Sequence, residues 1–273
     1  NMNNLRIIFG LLIGLAAMFA HADLSDNALV PKEEMEFAKA YLSEIRDKNY
    51  EYVLSHIDPE LSNQVSEEKL AEIASYFPSG KLLSTELIGS QINTINETWQ
   101  GNFTFECQFE AGWAVANVVM KRIASKTTVI GFNVYRTEAS QKELNKFELA
   151  GKSALHYLVL LLACIVPMFI LFSLVYCIKT PIQKRKWLWV LFILGGIGTI
   201  SINWSTGVFG FKILQFQLFG AAAMASNEYA PWVITAGFPL GAVVFWFKRK
   251  SFIEQGKTNK SIQQDTSEAG ASA

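Results

Sequence analysis

From Ser153 to Ile178 the chain reads SALHYLVLLLACIVPMFILFSLVYCI, without one charged residue. A helix of about 20 apolar residues suffices to cross the hydrocarbon core of a bilayer. The run therefore reads as a membrane span, and it cuts the chain into a polar half and an apolar half. The segment 179–186 directly after it holds four Lys or Arg, which under the positive-inside rule places this end in the cytoplasm.

The formal net charge of zero conceals an asymmetry. Between Asp23 and Lys152 there are 20 acidic and 13 basic residues, and from Ser153 onward 4 acidic and 10 basic. An acidic polar half excludes a nucleic-acid partner, because phosphates need a basic face. Of the three cysteines, Cys164 and Cys177 lie inside the apolar run and Cys107 stands apart, so no disulfide framework is implied. At the N-terminus, Met2–Arg6 is a short positive region, Ile7–Ala20 is apolar, and Ala20-His21-Ala22 supplies a small-x-small pattern. Residues 1–22 read as a signal peptide, or failing cleavage as an anchor, and either one exports the polar half of the chain.

The exported segment, 23–151, begins helical. Pro31, Glu33 and Glu34 open a helix with Phe37, Tyr41, Leu42 and Ile45 at helical spacing. Shorter helices come next, near Tyr50–Ile57 and from Ser66 to Phe77, the last ended by Pro78-Ser-Gly80. The period then changes to two. Trp99, Gly101, Phe103, Phe105, Cys107 and Phe109 alternate with Gln100, Asn102, Thr104, Glu106, Gln108 and Glu110, the pattern of a strand with one buried face. Leu82–Ile95, Trp113–Ile123 and Thr127–Arg136 flank it as strands. The expected domain is α+β, with N-terminal helices packed on one face of an antiparallel sheet of about four strands.

That order of elements, together with Phe37-Ala-Lys-Ala-Tyr-Leu-Ser-Glu-Ile-Arg-Asp-Lys-Asn-Tyr50, resembles the nuclear-transport-factor-2-like (cystatin-like) domains. The resemblance covers roughly 31–136 and implies helices closing over a curved sheet, with a pocket between them. It carries no site residue, since no motif matches.

Candidates for chemistry are few. His56 sits near a helix end and reads as a cap. Cys107 lies on the apolar face of its strand and reads as a buried thiol. Trp99 and Trp113 are candidate pocket residues, although aromatics on an inner sheet face usually form core. No cluster of ligands has metal spacing, and neither a metal nor another cofactor is expected.

In the apolar half, residues 152–250, a helical transmembrane bundle is expected, with spans at 153–178, 187–203 and 231–247. The stretch 208–225 is mostly apolar yet carries Lys212, Gln215 and Gln217. Counting basic residues makes it an interfacial or re-entrant segment, the alternative being a fourth span. Lys212, Gln215 and Asn203 are candidate ligand or partner residues near the outer leaflet, since charge inside a membrane is costly. Gly195, Gly237 and Gly241 offer close-approach helix faces for a homo-oligomer, and residues 251–273 read as a disordered cytoplasmic tail.

The expected partners are the bilayer and a membrane or periplasmic protein, in a multi-pass protein of a bacterial inner membrane. Without a catalytic constellation, the leading expectation is a non-enzymatic protein. Its exported domain would bind a ligand or partner, and its bundle would anchor it. The alternative is a membrane-embedded enzyme or transport subunit acting on a lipid or small solute.

Overall fold

The computed structural model describes residues 30–271 apart from 97, 125, 183 and 184. The signal-peptide reading of 1–22 lies outside the described residues. The chain forms two compact units, one of 30–146 with 227–230 and one of 147–226 with 231–271.

In the first unit, α1 (Lys32–Arg46) carries Glu33 and Glu34 in its first turn and Arg46 in its last, as the helix dipole favours. Its stripe Ala38, Tyr41, Leu42 and Ile45 is buried. α2 (Tyr50–His56) begins where the Asn49 side chain accepts the Tyr52 N–H, and α3 (Glu67–Ser75) where Ser66 accepts that of Lys69. Arg136 donates to the carbonyls of Ser75, Tyr76 and Phe77 at 3.0–3.1 Å, which satisfies the open end of α3. Strands β1 (Leu82–Ile95), β2 (Thr98–Phe109), β3 (Gly112–Ile123) and β4 (Lys126–Thr137) form an antiparallel meander in that order. Phe103, Phe105, Cys107 and Phe109 of β2 face the helices beside Ala114, Ala116, Val118 and Met120 of β3. Phe105 pairs with Ala116 and Cys107 with Ala114, so small residues leave room for large ones. A one-turn helix, α4 (Gln141–Leu144), ends the unit.

One buried charge fastens the helical layer to the sheet. The Asp58 carboxylate accepts from Lys121 Nζ at 2.9 Å, Thr128 Oγ1 at 2.8 Å and the Glu60 N–H at 3.1 Å. The Asp58 N–H donates to the Val129 carbonyl. Hydrogen bonds from Lys121 and then Thr128 hold the Asp58 pKa down to about 2.

The second unit is not a bundle of membrane helices, which corrects the expected fold class. Its elements are α5 (Ala154–Lys179), α6 (Lys186–Leu194), β5 (Gly195–Asn203), β6 (Phe209–Leu218), β7 (Ala221–Met224), β8 (Val233–Phe238) and α7 (Leu240–Ala271). The strands form a second antiparallel sheet ordered β6-β5-β8-β7. Among the described residues only α5 is long and apolar enough to cross a membrane. The stretch 187–203 is half helix and half strand, 208–225 is two strands, and 231–247 is a strand leading into a helix. Helix α7 also continues through Ala271, across residues whose composition suggested disorder.

The physical reason lies in the side chains that a hydropathy count ignores. Gly195-Gly-Ile-Gly-Thr-Ile-Ser-Ile-Asn203 is glycine-rich and then alternates β-branched with polar residues, a composition that favours a strand. One face of the sheet, through Ile202 and Ile234, packs on Val159 of α5 with Trp204. The turn Phe219–Gly220 joins the two edges of the sheet. Gly220 there has φ +68°, and a Cβ on it would lie 2.7 Å from Val166 of α5. At Gly241 an added methyl would overlap the Phe192 carbonyl of α6.

Because the Asp58 pKa is lowered on folding, its stabilisation is full above about pH 4 and is lost as the pH falls toward 2. We therefore expect Asp58→Asn to lower the melting temperature at pH 7 by at least about 5 °C. Its stability should also vary less between pH 4 and 2 than the wild type's, as urea titrations would record. We expect Gly241→Ala to cost about 1–3 kcal/mol by overpacking. Gly131→Ala, whose Cβ would meet Val119 at an ordinary 3.9 Å, should leave thermal unfolding nearly unchanged.

Candidate functional site: a groove beside the first helix

The structure separates the residues singled out in the sequence. Trp99 lies on the inner face of β2, with the Arg122 guanidinium 4.9 Å above its ring and Phe103 6.4 Å away. Arg122 also binds the buried Glu34 carboxylate. Trp99 thus closes a corner of the core. Trp113 pairs with Gln108 and shares the outer face. Nine residues of strand, roughly 30 Å, part it from Trp99, so the two line no common pocket.

In the second unit, Asn203 accepts the N–H groups of Ser205 and Thr206 at 3.0 Å and so shapes the turn into β6. Gln215 accepts from the buried Thr199 hydroxyl at 2.9 Å. Lys212 is exposed on β6 and pairs across the ladder with Thr199. Lys212 and Gln215 therefore share a neighbour, while Asn203 serves its own loop. Gly195, Gly237 and Gly241 are occupied within the chain, against the Phe216 ring, the Gly198 carbonyl and Phe192 respectively.

His56 packs its ring 4.2 Å from Tyr52, with Nδ1 2.9 Å from the Tyr52 carbonyl, which holds it at the end of α2. Burial pushes the Cys107 thiol up, away from the thiolate that nucleophilic work needs. Among the described residues no group of His, Cys, Asp and Glu is placed to hold a metal ion.

The first unit does offer a concave surface, and it runs along α1. A cleft of about 580 Å³ lies between α1 and β1, lined by Lys32, Met35, Lys39, Glu86, Leu87 and Tyr229 among others. A second, of about 190 Å³, continues past Lys39 to Leu42, Arg46, Leu82, Thr85 and Phe109. Lys39 belongs to both, so they form one groove flanked by helix on one side and strand on the other. Its cations Lys32, Lys39 and Arg46 recur every seven residues and so stand on one side of α1, about 10 Å apart. Lys39 is paired with Glu36 at 3.0 Å and Arg46 with Asp47 at 2.8 Å. Exposed pairs of this kind are worth at most about 1 kcal/mol and yield readily to a better partner.

The other wall is an edge strand. Among the described residues β1 pairs only with β2, which leaves one row of its backbone groups turned outward. Asn227 donates to the Ile88 carbonyl at 2.7 Å, and Tyr229 donates to Glu86 at 2.7 Å. That bond, with burial and the Glu86 charge, raises the Tyr229 pKa. Beside them Glu106, directly opposite Glu86, is only 4% exposed and accepts the Gln141 N–H. Burial first, then the Glu86 charge, pushes its carboxyl up.

The polar stripe of β2 is therefore not simply a wet face, and nothing local in the sequence marks this, because the covering residue Gln141 lies 35 positions on. The cation ladder was legible as a spacing, yet only the position of β1 turns it into one wall of a groove. Compared with family models, curated proteins and solved structures, the chain matches none.

Proposed function

We propose that this is a membrane-anchored docking protein whose α+β unit receives a short, extended, acidic segment of a partner polypeptide in the groove between α1 and β1. The observation that carries the reading is the ladder Lys32, Lys39 and Arg46 facing an open strand edge. Seven helical residues rise about 10.5 Å, and three residues of extended chain cover about 10 Å. Only every second side chain of an added strand faces the helix, so carboxylates two or four positions apart, about 7 or 14 Å, come within reach of neighbouring rungs through the long Lys and Arg side chains. The outward row of β1, apart from the Ile88 carbonyl that Asn227 takes, supplies main-chain hydrogen bonds, and the apolar patches at Met35–Leu87 and Leu42–Phe109 receive alternate side chains.

Helix α5 anchors the chain in a bilayer. The basic segments 179–186 and 248–250 lie on the cytoplasmic side, which puts the docking unit outside the inner membrane. No catalytic step is assigned to Lys212, Gln215 or Asn203, since the latter two serve their own local contacts.

The test is photo-crosslinking in intact membranes. A benzoylphenylalanine at position 39 should give a discrete polypeptide adduct. The same probe at position 100, on the opposite face of the sheet, should give none. Arg46→Glu in the first variant should cut the adduct by up to about fivefold, the effect of one lost exposed ion pair of about 1 kcal/mol. Equal adducts at both positions, or none at 39, contradict the reading, and an adduct of small-molecule mass would replace the polypeptide by a small ligand.

A further inference from the structure

Strand β6 lies at the edge of the second sheet and among the described residues pairs only with β5. Its sequence is FGFKILQFQL, and its apolar side chains are turned out. Phe211 is 63% exposed, Phe216 78% and Leu214 92%. Soluble proteins blunt such an edge with charges, prolines or short length. β6 has ten residues, no proline and one lysine. Alongside an apolar helix such as α5, an open row of N–H and C=O groups is costlier still, because hydrocarbon offers them nothing.

The strand is also a palindrome in chemistry. If two copies of Phe209–Leu218 are laid antiparallel with full overlap, Phe209 faces Leu218, Gly210 faces Gln217 and Phe211 faces Phe216. Lys212 then faces Gln215, and Ile213 faces Leu214. Every apolar residue meets an apolar one, and every polar residue a polar or small one.

A regular strand could not use this register. Partners across an antiparallel ladder share a face, and a two-fold axis through a regular strand pairs only residues of the same parity. β6 is irregular at the required point. Ile197 pairs with Phe216 and Thr199 with Lys212, so Ile213, Leu214 and Gln215 bulge opposite Gly198. Gly198 has φ +66° and permits the approach, since a Cβ there would stand 3.2 Å from the Ile213 carbonyl.

The bulge shifts the parity by one. Gly210 lies over Ser201 and Lys212 pairs with Thr199. Gln215 binds Thr199 and Gln217 binds Thr235 at 2.6 Å, and Thr235 pairs with Ser201. All four therefore share one face, and Phe209, Phe211, Phe216 and Leu218 occupy the other.

We propose that β6 is the seam of a homodimer, in which two copies of this chain join their second sheets into one of eight strands. The two-fold axis passes through the Ile213–Leu214 bulge. β7, the opposite edge, has four residues and would leave six of β6 unpaired, so a head-to-tail arrangement is disfavoured. The Lys212 ammonium then meets the carboxamide oxygen of the other copy's Gln215, a neutral partner that avoids like-charge contact across the seam.

The experiment is disulfide trapping in intact membranes with Cys164→Ser as background. Phe211→Cys and Phe216→Cys chains, differently tagged and co-expressed, should give a mixed disulfide dimer. Phe211→Cys alone should give none, because its own copies stand about 16 Å apart in this register. No mixed dimer, or equal yields from the single variant, overturns the proposal. Native mass spectrometry of the unaltered chain guards against a misfolded variant: two copies per particle are expected, and a single copy overturns the seam.

Discussion

Every strand needs a neighbour to satisfy its backbone, and a helix does not. In the second unit that difference sets the order of dependence. Helix α5 closes its own hydrogen bonds along its 26 residues except at Pro167, so it stands as the post against which the rest is laid. The sheet can then bury one face, through Ile202 and Ile234, without a second sheet behind it. Its edge-to-edge turn at Phe219–Gly220 fits against Val166 and Ile170 only because Gly220 lacks a side chain. Pro167, beside Val166 within α5, cannot donate a backbone hydrogen bond.

The first unit solves the same problem by different means. Its sheet is covered on one face by α1, α2 and α3, and the pairing of large β2 residues with alanines of β3 sets how closely the helices approach. Two carboxylates taken out of water there are paired, Asp58 with Lys121 and Thr128 and Glu34 with Arg122. These contacts hold the layers in register and leave the outer side of α1 free to form one wall of a groove.

Some of this could be read from residue order. The strict alternation from Trp99 to Phe109 appears as β2, the switch from helical to two-residue spacing at Gly80 marks the start of the sheet, and Ser153–Ile178 appears as α5. Hydropathy alone misread the remainder of the apolar half. A window over 187–203 registers grease and is blind to the difference between Trp-Leu-Trp-Val-Leu-Phe-Ile-Leu, which winds into α6, and the glycine-spaced run after it, which extends into β5. Lys212 and Gln215 stood out as polar residues in an apolar stretch, but their common neighbour Thr199 is fixed by strand pairing. Glu106 looked like one more residue of a wet stripe until Gln141 and its neighbours came to rest on it. Contacts between residues far apart in the chain carry no local signature.

The central proposal is that α5 and the sheet beside it lie in one bilayer, with the turn at Phe219–Gly220 as deep as the middle of the helix. Spin labels read by oxygen and nickel-chelate accessibility in liposomes test it directly. Labels replacing Leu218, at the tip of the sheet, and Met168, at the middle of α5, should report the same apolar depth, while a label at Thr206 should report water. A water-exposed Leu218 label beside a buried Met168 label would contradict the account.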